Sequence, residues 1–352
     1  MDIRRLVKKE VVSLSAYDAQ EIPCSIKLDA NESPFDFPGA LNAVSAVSTN
    51  RYPDPAGKNL RRSISRWIGS EPSNLLLGNG SDELISYLIM TFGGPVVFPQ
   101  PSFSMYGLIA HALGERRIAV ALDKDFDLDE DRMLSTIKKD RPHLIFLSSP
   151  NNPTGNCFSA EKVLRIIETS RGIVVVDEAY QPFAGGSGML PLLKDYKNLV
   201  ILRTLSKIGL AALRLGFMVA DERIIAEVNK VRLPFNINSF SQAVAAAALK
   251  DKGLLRRHIR SIVSERSRLY RQMTGIVGVH PYPSEANFIL FRTESADTVY
   301  QRLLKKGILV RNLGGVADGC LRVTVGTAAE NSAFLNALAT IMSGGGRSHE
   351  KI

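Results

Sequence analysis

Ile173-Val174-Val175-Val176-Asp177-Glu178-Ala179-Tyr180 is four β-branched residues in a row, ending abruptly in two carboxylates. A short, unbroken apolar run of this kind reads as a strand covered on both faces, as strands of a parallel sheet are. Further short apolar runs lie at 75–77, 96–98, 118–121, 144–147, 200–202 and 217–220. Amphipathic stretches such as 84–90, 105–113 and 160–169 fall between them. Strand and helix alternating over 75–220 predict an α/β fold with a mostly parallel seven-stranded sheet.

The pattern changes after about residue 245. A long helix is predicted near 254–273, then strands at 287–292, 307–311 and 321–325, a helix near 297–306 and a closing helix over 328–342. The expected organisation is an N-terminal arm (1–30), a large domain (31–245), a smaller α+β domain (246–343) and a disordered tail (344–352) of glycines and polar residues.

The chain has 352 residues, 45% hydrophobic and 22% charged, which suits a globular enzyme. No apolar run approaches the roughly 20 residues of a membrane span, and the N-terminus lacks a signal-peptide core. Cys24, Cys157 and Cys320 are far apart with no metal or redox spacing, and the five histidines do not cluster. Reduced thiols, a cytoplasmic location and no metal are expected. The net charge of +9 favours anionic ligands. Its densest cluster, Arg256 to Arg271, has the spacing of one solvated helix face, and no nucleic-acid motif accompanies it.

Ligands of open α/β sheets bind at the carboxyl ends of the strands, so the residues after each run carry the chemistry. Asp177, directly after buried residues, is desolvated and calls for a cationic partner; a protonated pyridinium nitrogen is one, and a plain helix N-cap is the alternative. Val200-Ile201-Leu202-Arg203-Thr204-Leu205-Ser206-Lys207 ends in a lysine, with Arg214 seven residues later. Such a lysine can bind an aldehyde beside a phosphate pocket, as in pyridoxal phosphate (PLP) enzymes; taken alone, a surface lysine at a strand end is the commoner reading.

The run 144–147 leads into Ser148-Ser149-Pro150-Asn151-Asn152-Pro153-Thr154-Gly155. A turn explains much of this, but an amide held between prolines can also donate to a cofactor phenolate oxygen. After 75–77 come Gly78-Asn79-Gly80-Ser81-Asp82-Glu83, a helix start whose N–H groups suit a phosphate and whose acids suit the helix dipole. Phe103 follows 96–98 and can stack on a planar ring or simply fill core. Arg322, within the strand candidate at 321–325, is either a rigid anion clamp or a solvent-facing charge.

Asn-Pro-Thr-Gly at 152–155, Asp-Glu-Ala-Tyr at 177–180, Ser-Lys at 206–207 and Arg214 recur in this order in fold-type I PLP aminotransferases, which the chain resembles. Within them it is most similar to histidinol-phosphate aminotransferases. That likeness rests on Leu28-Asp29-Ala30-Asn31-Glu32-Ser33-Pro34, Arg51-Tyr52-Pro53-Asp54, Gly80-Ser81-Asp82-Glu83 and Leu321-Arg322-Val323-Thr324-Val325-Gly326, and it covers all but the tail.

The resemblance implies roles. Lys207 is the Schiff-base lysine and proton carrier, and Asp177 the pyridinium partner. Asn152 and Tyr180 donate to the ring oxygen, which lowers the pKa of the lysine adduct. Ser81, Asp82 (through its N–H), Ser206 and Arg214 surround the cofactor phosphate, and Phe103 stacks on the ring where many relatives carry Tyr. Tyr52 reaches the neighbouring subunit's site, which implies a homodimer. Arg322 is the shared ligand of the substrate anions, with Arg311 and Tyr17 near a substrate phosphate; Arg311 can also be a solvated strand-end charge. The segment from Lys207 to Arg214 is one residue shorter than in many relatives, a change a glycine can absorb.

The implied reaction is reversible transamination of L-histidinol phosphate with 2-oxoglutarate, giving imidazole-acetol phosphate and L-glutamate, in histidine biosynthesis. Threonine-phosphate decarboxylase and a broad aromatic aminotransferase are rivals on the same scaffold. A non-catalytic PLP-binding module is a third, disfavoured because Lys207 and Asp177 are both present.

Overall fold

The computed structural model describes residues 1–16 and 22–344. The predicted tail beyond 344 and Tyr17 lie outside the described residues. Two sheets organise the chain. The larger has seven strands: β2 (Leu75–Asn79), β3 (Val96–Gln100), β4 (Arg117–Ala121), β5 (Leu144–Ser148), β6 (Ile173–Asp177), β7 (Leu199–Thr204) and β8 (Leu215–Ala220). Their order is β2-β8-β7-β6-β5-β3-β4, and every pair is parallel except the two made by β8. The seven runs anticipated from sequence are these seven strands.

The central strands are buried as their composition requires: Val174, Val175 and Val176 are inaccessible to solvent, as are their neighbours Ile145, Phe146, Val200 and Ile201. Each such side chain contributes roughly 1.5–3 kcal/mol by leaving water, so the middle of the sheet is a rigid mount. Register then aligns the polar ends. Ser148 of β5 pairs with Asp177 of β6, and Asp177 with Leu202 of β7. Reversal of β8 matters most for the site. Because it runs antiparallel, its first residue, Leu215, pairs with Asn79, the last residue of β2. Arg214 therefore arrives at the edge where β2 hands over to the helix Ser81–Phe92.

The smaller sheet has five strands in the order β1-β11-β12-β10-β9, from β1 (Ile26–Leu28), β9 (His280–Pro281), β10 (Phe288–Arg292), β11 (Ile308–Asn312) and β12 (Cys320–Thr324). The three strands predicted after residue 245 are β10, β11 and β12. β1 and β9 are too short to show a pattern and were not anticipated. β1 comes from the segment read as an arm and pairs parallel with β11, so Asp29, Ala30 and Asn31 leave the edge of this sheet toward the larger one. The 23-residue helix Lys252–Thr274 is capped by Asp251, whose carboxylate accepts from the Leu254 N–H. No helix among the described residues is long and apolar enough to cross a membrane, and no His, Cys, Asp or Glu cluster among them could hold a metal.

Candidate active site

A cleft opens at the carboxyl ends of β5, β6 and β7. Its walls include Ser81, Asp82, Phe103, Asn152, Asp177, Tyr180, Ser206, Lys207 and Arg214. These nine came from five separate strand ends in the sequence, and the register described above brings them together.

Asp177 forms the floor. It is 3% exposed, and burial pushes its carboxyl up to about 6. Tyr106 donates to Oδ2 at 2.8 Å and the Ala179 N–H to Oδ1 at 3.1 Å; both bonds favour the ionised form and only partly offset desolvation. Among the described residues no cation is paired with Asp177. Tyr106 was not anticipated: the sequence shows it only as part of an amphipathic helix. It is fully buried and stacked on Phe146, with ring centroids 4.8 Å apart. Burial pushes its own hydroxyl well above the usual range, with the Asp177 charge adding to the effect. Phe103 meets its edge at 5.5 Å.

Lys207 follows β7 in a short 3-10 turn, Ser206–Ile208, and its Nζ donates to the Ala30 carbonyl at 3.3 Å. Thr204 organises this corner: it accepts from the Ser206 N–H at 3.1 Å, and its hydroxyl donates to the Leu215 carbonyl at 3.0 Å. The short segment to Arg214 turns at Gly209, φ +102°, where a Cβ would lie 2.6 Å from the Phe35 carbonyl oxygen. Arg214 itself sits at φ +50°, a conformation that costs a non-glycine residue about 1–2 kcal/mol. Its Nη2 is 3.7 Å from Asp82 Oδ2, with both side chains about half exposed, so this pair adds little stability.

Glycines let the backbone close up here. A Cβ on Gly216 would lie 2.6 Å from the Ser81 nitrogen, and one on Gly80 2.9 Å from Arg214 Nη2. The result is a concave rim of helix N–H groups, hydroxyls and a guanidinium, a donor set complementary to a phosphate.

The two asparagines after β5 have different tasks. Asn151 is inaccessible and holds the loop: it donates to the Pro101 carbonyl at 3.0 Å and to Thr154 Oγ1 at 2.8 Å, and accepts from Ser102 at 2.7 Å. Asn152 turns into the cleft, where its Oδ1 accepts from Arg322 Nη1 at 2.6 Å. Arg322 reaches over from β12, 8% exposed, and donates through Nη2 to the Asp29 carbonyl at 2.7 Å; its guanidinium lies over the Phe288 ring, 5.1 Å from the centroid. Tyr180 is buried, and its hydroxyl accepts from Asn31 Nδ2 at 3.0 Å.

Two predicted residues are elsewhere in this chain. Tyr52 is 82% exposed and stacks on Phe235, centroids 4.6 Å apart. Arg311 is exposed on β11, directly opposite Arg322 across the strand pair.

Residues 14–338 match the aminotransferase class I and II family. The chain belongs to the class I and II aminotransferases. Among curated relatives of this aminotransferase, histidinol-phosphate aminotransferase 2 of Nitrosococcus oceani is 45% identical over 350 residues, covering 96% of this chain and 97% of that protein. The histidinol-phosphate aminotransferase of Aquifex aeolicus is 43% identical over 346 residues, 95% and 97% of the two chains. Among solved structures, the histidinol-phosphate aminotransferase of Sinorhizobium meliloti in complex with pyridoxal-5'-phosphate superposes with a TM-score of 0.87 at 25% identity, covering 96% of this chain and 98% of that one.

Proposed function

We propose that this aminotransferase uses PLP to interconvert L-histidinol phosphate and 2-oxoglutarate with imidazole-acetol phosphate and L-glutamate, a step of histidine biosynthesis carried out in the cytoplasm. The observation that carries this reading is a lysine, a buried carboxylate and a phosphate-shaped rim in one cleft, with Arg322 beside them.

The residues present fit the cofactor. Asp177 is a buried carboxylate with no cationic partner among the described residues, which a protonated ring nitrogen would supply. The rim at Ser81, Ser206 and Arg214 is kept open by Gly80 and Gly216 and matches a phosphate. When bound, PLP supplies an aldehyde to capture the amine and an electron sink for the substrate carbon.

The chain's own residues do the rest. Lys207 Nζ is the attachment point for the aldehyde; once freed, the same amine carries the proton taken from substrate Cα. Asp177 would keep the ring nitrogen protonated by holding a negative charge against it. Tyr180 and Asn152 would donate to the ring oxygen. Ser81, Ser206, Arg214 and the Asp82 N–H would hold the phosphate, and Phe103 would pack against the ring.

Glutamate presents an α-carboxylate where histidinol phosphate presents a phosphorylated methylene, so one anion site serves both. Arg322 is that site: a guanidinium fixed by Asn152 and Asp29 presents a pre-set fork and loses little rotamer freedom on binding. Arg311 is assigned to the substrate phosphate, as the resemblance also assigns Tyr17, which is outside the described residues. Tyr52 belongs to the neighbouring subunit's site in a homodimer, a role suited to its exposure here.

A substrate comparison tests the assignment. Purified protein should consume histidinol phosphate only when 2-oxoglutarate is supplied. Release of CO2 from threonine phosphate in place of that activity would overturn it, as would a preference for free aromatic amino acids over the phosphorylated substrate.

A further inference from the structure

Asn31 lies just past β1 and bridges Thr324 of β12 and Tyr180, which follows β6. Its backbone N–H donates to Thr324 Oγ1 at 2.9 Å, and its carbonyl accepts from Asn287 Nδ2 at 3.0 Å. Its side chain lies 3.2 Å from Thr324 Oγ1 through Oδ1 and 3.0 Å from the Tyr180 hydroxyl through Nδ2. The residue is 1% exposed and sits at φ +56°, which Asn tolerates better than most residues.

The bonds of this chain run in one direction. Thr324 Oγ1 already accepts from the Asn31 N–H, so its own proton is free to go to Asn31 Oδ1. With its carbonyl end accepting from Thr324, the Asn31 amide presents its NH2 end to Tyr180. Tyr180 must then accept from Asn31, and its own proton has to point elsewhere. The cleft is where it points, because Tyr180 lines it.

We propose that Asn31 is a positioning residue: driven by Thr324 of the smaller sheet, it turns the Tyr180 hydroxyl into an obligatory donor toward the cofactor ring oxygen. This rests on the reading of the cleft as a PLP site. A tyrosine without Asn31 can rotate its proton either way; with Asn31 only the donating arrangement satisfies both groups. The hydrogen bond favours the anionic ring oxygen, so it lowers the pH at which the lysine-bound cofactor loses its proton.

The experiment is a pH titration of the visible absorbance of purified holoenzyme, with no substrate present. Thr324→Val removes the hydroxyl that orients the Asn31 amide, and Asn31→Gly removes the amide without straining the positive φ. Each should raise the titration midpoint by up to about one pH unit, the effect of losing one good hydrogen bond to one protonation state. In a Tyr180→Phe background, which has no hydroxyl to orient, neither should move it further. If wild-type protein shows no lysine-bound cofactor band, the reading of the cleft fails. If the band is present but both substitutions leave the midpoint unchanged, or shift it equally in Tyr180→Phe, the role of Asn31 is overturned. Should Asn31→Gly not fold, Thr324→Val alone decides.

Discussion

Arg322 Nη1 donates to Asn152 Oδ1 at 2.6 Å, joining the smaller sheet to the loop after β5 on the larger one. The two residues are 170 positions apart. The bond holds the amide of Asn152 with its oxygen toward the arginine, which leaves the NH2 facing the cleft. One contact thus orients both the proposed substrate ligand and a proposed cofactor ligand. Replacing Arg322 with Lys keeps the charge but not the fork that reaches Asn152 and Asp29 together. Arg322→Lys should lower kcat/KM for both histidinol phosphate and 2-oxoglutarate by about a hundredfold, the loss of a charged hydrogen-bond pair. Steady-state kinetics with each substrate varied in turn checks this; an effect on one substrate alone would argue against a shared anion site.

Asp177 is held at a cost to the cofactor-free protein. Burial pushes its carboxyl up from an ordinary 3.8 to about 6. A raised pKa means the fold prefers the protonated form. The contribution of this residue to stability is therefore complete below 3.8 and is lost as pH rises through about 6. Asp177→Asn should stabilise the cofactor-free protein near pH 8 by up to about 3 kcal/mol, with the advantage vanishing near pH 4. With cofactor bound the order should reverse, because the carboxylate then has its cation. Chemical denaturation of both proteins, with and without PLP, at the two pH values reads out all four cases.

Gly216 has room for a hydrogen and nothing larger, since a Cβ would sit 2.6 Å from the Ser81 nitrogen. Gly216→Ala should push the start of the helix away from Arg214. Spectroscopic titration with PLP should show affinity weakened by about tenfold or more, a displacement of roughly one hydrogen bond's worth. The strand pair β2–β8 should survive, so secondary structure by circular dichroism should be unchanged.

Tyr52 can be tested by mixing subunits. Tyr52→Ala and Lys207→Ala proteins should each be nearly inactive alone. If the proposed homodimer forms, a hybrid would contain one site with an intact Lys207 and an intact Tyr52 from the other chain. Unfolding and refolding the two together should restore activity well above either parent; absence of recovery would place Tyr52 within its own subunit's site or outside any.

The seven strands of the large sheet were legible because each is a short apolar run bounded by turn formers, and a strand covered on both faces leaves no other pattern. For the same reason the candidate site residues stood out: polar groups at the end of a run mark where the chain leaves the sheet. β1 and β9 were invisible, being two or three residues long. Tyr106 sits in the amphipathic stretch 105–113, and nothing local to it records that its hydroxyl meets a carboxylate 71 positions away. Asn31 stood inside a recognisable motif, yet its task depends on Thr324 and Tyr180, both distant in the chain.

By itself, then, the sequence determined the alternation of strands and helices, the strand ends that carry chemistry, and the residue types waiting there. Tertiary structure decided the pairings: that Asn152 and not Asn151 faces the cleft, that the antiparallel β8 delivers Arg214 to the start of the helix at Ser81, and that Arg322 closes the site from a second sheet. Burial and periodicity are properties of a local stretch and can be read from it. Which residues meet is set by strand order and register, and those follow from the packing of the whole chain.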